Sequence, residues 1–195
     1  MKKLLSILSM FIIILIANAA SADVADIFYH TPEESAYLGE LRDLKRRNIK
    51  LTVIDDKTIL MNMKLNKKCE YTCYICKYYD DIRPSQYNEL TEKEKQKYEE
   101  RIQAIRDGNP KKEDIIKKFS GTYDGINDIV ERFKYKSPAK GQSTNYTLII
   151  KYEVTHKETN FGLKKLENPE SQKFELEILI TKDKDGVDEA IIFPY

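Results

Sequence analysis

The densest chemistry in this chain is Cys69-Glu70-Tyr71-Thr72-Cys73-Tyr74-Ile75-Cys76, a stretch that holds all 3 cysteines of the 195 residues. What thiols at this spacing can do depends on the backbone that carries them. On a helix, positions i, i+4 and i+7 share a face and the three groups converge. On a strand, Cys69 and Cys73 share a face about 13 Å apart, while Cys76 points the other way. A disulfide asks for Cα atoms roughly 4.4–6.8 Å apart, which Cys73 and Cys76 reach only through a turn or a helical turn.

Four chemistries compete for the cluster. A structural disulfide between two of the three suits a chain that meets oxidising conditions, the odd thiol being buried or paired with another molecule. A redox-active Cys73-x-x-Cys76 pair is the second, although no long parallel strand leads into it as in a thioredoxin-type site. Zinc would take all three thiolates but needs a fourth ligand, and the only two histidines, His30 and His156, are remote in sequence. Fourth, C-x3-C-x2-C is the spacing with which radical-SAM enzymes hold an iron–sulfur cluster. Those enzymes are built from repeated strand–helix units, and no such repeat occurs here. With no histidine after Cys76, c-type haem attachment is excluded.

Elsewhere the chemistry thins out. Asp183-x-Asp185-Gly186 offers half a calcium loop, with Thr181 at the first ligand position and Ile192 where a bidentate glutamate is required. That reads as a hairpin turn. The glycines are scattered, so no phosphate loop forms, and no G-x-S-x-G occurs. No catalytic residue, metal ligand or cofactor is therefore assigned. Tyr71, Tyr74, Tyr78, Tyr79 and Tyr87 crowd around the cysteines. Tyrosine is amphipathic and favoured at contact surfaces, which makes Tyr71, Tyr74, Tyr78 and Tyr79 interface candidates.

The elements that would position these groups follow from periodicity. Thr31-Pro32-Glu33-Glu34 has the hydroxyl cap, proline and following glutamate of a helix start, and the helix is expected to run to about Arg47. Strands are predicted at 50–54 and 58–65, with Ile59, Met61, Met63 and Leu65 on one face. Thr91 to Glu94 opens a second helix, ended by Gly108. Two more helices are expected, one carrying Ile115, Ile116 and Phe119, the other Ile126, Ile129, Val130 and Phe133. Alternation at 146–154 and 174–181 predicts two long strands, joined by a polar connection at 157–172. Asp185-Gly186 turns the chain into a last strand at 190–193.

These elements make an α+β domain: an antiparallel sheet of about five strands covered on one face by three to four helices. Helices followed by long strands and a closing hairpin, over roughly 115–195, resemble NTF2-like or cystatin-like domains, a family that hosts both enzymes and binding modules. No functional residue transfers from that likeness.

Compartment is read from the start of the chain. Lys2 and Lys3 precede an apolar run and Ala20-Ser21-Ala22, the three parts of a secretory signal peptide. Residues 1–22 are expected to be removed, leaving 23–195 as one domain in the periplasm or outside the cell. Membrane attachment would come only through an uncleaved signal segment. The full chain carries 33 basic and 32 acidic residues, a balance without the field nucleic acid needs. The function expected is a non-catalytic binding or accessory domain that recognises a partner protein or small ligand. A thiol-redox protein using Cys73 and Cys76, or a cysteine-based metal module, is the alternative.

Overall fold

A computed structural model of the chain describes residues 31–77, 84–159 and 162–193. The expected signal segment, and with it Tyr78 and Tyr79, lies outside these. The chain divides into two units at Arg42/Asp43. In the first, helix α1 (Pro32–Asp43) begins with the reciprocal cap its sequence announces. Glu34 N–H donates to Thr31 Oγ1 (3.2 Å), and Thr31 N–H donates to Glu34 Oε2 (2.8 Å).

The second unit opens with a π-helical turn (Leu44–Asn48) and is built mainly of strands: β1 (Ile49–Asp55), β2 (Thr58–Met63), β3 (Cys69–Lys77), β4 (Ile115–Tyr123), β5 (Ile129–Lys134), β6 (Ser143–Thr159), β7 (Gly162–Lys182) and β8 (Asp188–Ile192). Helices α2 (Pro84–Glu89) and α3 (Glu92–Arg106) lie between β3 and β4. All ladders are antiparallel. One sheet has the order β1-β2-β5, the other β4-β3-β6-β7-β8. The sheets also meet at their edges, because β8 lies beside β1 and β4 beside β5. The strands thus follow one another around a shared core.

The core is what the alternation predicts. Ile59, Met61 and Met63 of β2 are fully buried, as are Ile75 of β3, Leu148 and Ile150 of β6, and Phe174, Ile178 and Ile180 of β7. Each such side chain contributes roughly 1.5–3 kcal/mol by leaving water. Met61 and Met63 fill the core.

Two of the expected helices are strands. Residues 115–123 pair with β3, and 129–134 pair with β2. The reason is a pair of inward-facing charges. Lys117 stands opposite Ile75, and Glu131 opposite Met61, both on the core side of their sheets. They meet across the β4–β5 seam at 3.2 Å. These charges interrupt the apolar alternation of both strands, leaving residues whose spacing mimics a helix. The helix-then-sheet order behind the NTF2-like and cystatin-like resemblance is lost with those helices. The polar connection expected at 157–172 is also strand. β6 and β7 continue pairing to Thr159 and Gly162, past a bulge where 166–169 of β7 have only Thr155 between the flanking pairs.

The other seam is closed by a polar cluster. The Tyr135 hydroxyl is 2.5 Å from Asp188 Oδ2 and 3.1 Å from the Asp55 carbonyl oxygen, and Lys182 Nζ is 3.5 Å from Asp188 Oδ1. Burial alone would raise the Asp188 carboxyl. Hydrogen bonds from Tyr135 and Ser137 and the charge of Lys182 outweigh it and hold the group below its ordinary value. Its stabilisation is therefore present above the usual carboxylate range and fades as pH falls through it.

Helix α3 is fixed at both ends. Thr91 and Glu94 form its capping box. At the other end Gly108, with φ +72°, accepts the left-handed turn that lets Gly108 and Asn109 donate back to the carbonyls of Ile105 and Ala104. Midway, Arg101 Nη2 reaches Asp114 Oδ1 at 2.7 Å. The Asp114 side chain is 0% exposed and that of Arg101 21%. Removing the arginine takes this cation from a fully buried carboxylate, whereas removing the aspartate leaves a partly wet guanidinium with Glu113 still 3.6 Å away. Urea unfolding should show Arg101→Ala costing about 3 kcal/mol or more, and Asp114→Ala clearly less. Equal costs would show that burial of the carboxylate does not control this contact.

Candidate functional site

The cysteine cluster lies on β3, a continuous strand, and that decides its chemistry. Pleating sends Cys69, Tyr71, Cys73 and Ile75 to the core side and Glu70, Thr72, Tyr74 and Cys76 to the opposite face. Cys76 packs there with Ile105 of α3 and Ile149 of β6, with Tyr74 and Ile115 at the margin. None of the three is in a disulfide, and all are buried. The expected disulfide is not formed, because the strand holds Cys69 and Cys73 about 13 Å apart and turns Cys76 away from both.

Burial also sets thiol reactivity. It pushes Cys76 up to about 12, helped by the charges of Asp114 and Glu175. Burial raises Cys73 further, with Cys69 and Glu131 adding to it. A redox pair needs an accessible thiolate, and metal binding needs thiolates that converge. These groups are neutral and point to two different faces. Among the described residues, no three His, Cys, Asp or Glu side chains are gathered as a metal site. His156 is exposed on β6, its Nδ1 2.9 Å from Thr155 Oγ1. Asp183 serves the β7–β8 turn, its Oδ1 accepting from the N–H groups of Asp185 (2.9 Å) and Val187 (2.8 Å).

The same strand contributes to the concave feature of most interest. Beside the patch that α3 covers, the outward face of the five-stranded sheet forms an open trough of about 540 Å³. Its register can be read in rows. Thr122, Glu70, Glu153 and Ser171 stand side by side across β4, β3, β6 and β7, and Ser120, Thr72 and Lys151 form the next row. All seven border the trough, as does Tyr74. Lys151 Nζ donates to Asn109 Oδ1 (3.0 Å), tying the wall to the end of α3.

The Glu70–Glu153 juxtaposition matters energetically. Like charges directly opposite on an antiparallel pair are destabilising, so these two carboxylates do not serve the sheet. The arrangement supplies hydroxyls, carboxylates and an ammonium in a plane. Such a set can hydrogen-bond and ion-pair with a ligand laid across the sheet.

Of the tyrosines, Tyr71 and Tyr74 are brought to the trough from opposite faces of β3. Tyr71 leans over Gly121, where an added Cβ would sit 3.1 Å from its hydroxyl, and meets Phe119 edge-on with centroids 6.3 Å apart. Burial, then the cysteine and Glu131 charges, raises its hydroxyl pKa. Tyr71 is thus a core-margin residue. Tyr74 has Lys118 Nζ 5.4 Å from its ring centre and keeps part of its surface exposed. Tyr87 belongs elsewhere, stacked edge-on with Tyr98 and hydrogen-bonded to Glu99. The polar members Glu70, Thr72, Ser120, Thr122, Glu153 and Ser171 escaped sequence reasoning. The outward half of each strand's alternation was their signal, but pairing order was needed to bring them together. No protein family, curated protein or solved structure matches this chain.

The thiols generate a prediction. At neutral pH a small alkylating reagent should modify none of the three in the folded protein and all three in denaturant, as counted by intact mass. The raised thiols favour the neutral form in the fold. Their contribution is intact below the unfolded value near 9 and is lost as pH climbs toward about 12. Denaturant midpoints measured across that alkaline window should fall, and a Cys73→Ala variant should show a shallower decline. Rapid native labelling of Cys73 would contradict the burial described.

Proposed function

We propose that this protein is an exported, non-catalytic binding domain that presents the open face of its five-stranded sheet to a partner protein. One observation carries the reading: the polar trough across β4, β3, β6 and β7, in which Glu70 and Glu153 are held side by side at a cost to the sheet. Its breadth favours a protein segment over a small ligand, since small-molecule sites enclose most of what they bind. Neutral, buried thiols on two faces of β3 weigh against the redox and metal alternatives. The near-balanced charge gives nucleic acid no attraction. Among the described residues no helix is long and apolar enough to cross a membrane. Periplasmic or secreted localisation rests on the leader-like pattern at 1–22, and membrane contact would come through that segment if it were retained.

Two measurements test the proposal. A photo-crosslinking amino acid at Thr72, in the trough, should capture a discrete partner in cells. The same group at Lys184, in the β7–β8 turn, should not. Equal capture at both positions, or none at Thr72, would refute the trough as the binding face. Intact mass of the protein recovered outside the cytosol should correspond to a chain beginning at Asp23.

A further inference from the structure

β7 is the longest strand, and its two sides are used unequally. β6 accompanies it from Gly162 to Thr181, whereas β8 pairs only with 178–182. The Phe193 N–H extends that side by one bond to the Glu177 carbonyl, at 2.9 Å. Between Pro169 and Glu177, no strand among the described residues lies along the outer side of β7. Because the Glu177 carbonyl points to the β8 side, alternation sends the N–H and C=O groups of Lys173 and Glu175 the same way. Such a row is a template for another strand. It is also a firm one, since the interleaved Phe174 and Leu176 are anchored in the core at 0% and 2% exposure.

We infer that this edge pairs with the same edge of a second copy, antiparallel about a two-fold axis at Phe174. Residues that stand directly opposite must share a face, so the permitted axes fall on residues. An axis at Lys173 sets lysine against lysine, and one at Glu175 sets glutamate against glutamate. At Leu176 it would oppose Glu175 to Glu177, and at Gln172 it would bring in Pro169, which has no N–H to give. At Phe174, Lys173 stands opposite the partner's Glu175, and Glu175 opposite the partner's Lys173. Both pairs are of the type that exchanges two backbone hydrogen bonds. The contact is isologous and closes on itself, joining two five-stranded sheets edge to edge.

Sedimentation of the exported protein across the micromolar range tests this. A concentration-dependent dimer is expected. Lys173→Glu, which turns both ion pairs into repulsions, should weaken it about tenfold or more. The exchange Lys173→Glu/Glu175→Lys should restore it. Lys173→Pro removes an N–H that faces outward, so it should abolish the dimer while leaving the circular dichroism of the monomer unchanged. Should that proline variant fail to fold, the charge reversal and its rescue decide the question. A monomer at every concentration, a dimer indifferent to Lys173→Glu, or a reversal that the exchange fails to rescue would overturn the inference.

Discussion

The structure depends on how the open sides of two sheets are closed. Neither the three-stranded nor the five-stranded sheet is wrapped into a hydrogen-bonded barrel, yet their margins lie together. Side chains do this work. Lys117 and Glu131 meet on one side, and Tyr135, Asp188, Lys182 and the Asp55 carbonyl on the other. A strand margin left in water recruits other chains, and one left dry strands polar backbone groups. Closing two margins with polar side chains lets the inward faces of all eight strands share one apolar interior.

Where a strand's inward positions are all apolar, its place in the fold could be read directly. Ile59, Met61 and Met63 declared β2, and Tyr146 through Val154 declared β6. Both Thr-x-x-Glu boxes and the Asp185-Gly186 turn also stand where the sequence put them. The failures have a common cause. Lys117 and Glu131 point inward because each satisfies the other, and a one-dimensional pattern cannot show that. With those positions polar, the remaining Ile, Val and Phe residues fall into a helical spacing that the chain does not use. The Asp124-Gly125 turn between them was a legible signal of a strand connection. Asp124 Oδ1 accepts from the N–H groups of Ile126 and Asn127. At 157–172 the fault was opposite: polarity suggested a loop, while pairing with a neighbour makes a strand irrespective of hydrophobicity.

The candidate site was half visible for the same reason. Its cysteines and Tyr71 stood out by composition, and they proved to be packed against the fold. The trough is made of residues unremarkable in sequence, gathered from four strands whose order, β4-β3-β6-β7, is not the order of the chain. Chemistry concentrated in sequence is here split between the two faces of β3, whereas the polar rows of the trough gather on one of them. Three thiols within one strand are a packing solution, each small enough to fit beside the rings of Tyr71, Tyr74 and Phe119.

β3 carries a temporal consequence as well. Both of its partners, β4 and β6, come later in the chain, and its last pair joins Lys77 to Tyr146. A ribosome makes β3 well before it makes either neighbour. Until roughly the 150th residue emerges, the thiols that end up inert are open to oxidants, metals and one another, so their chemical fate is settled during biogenesis, before the mature fold exists to protect them.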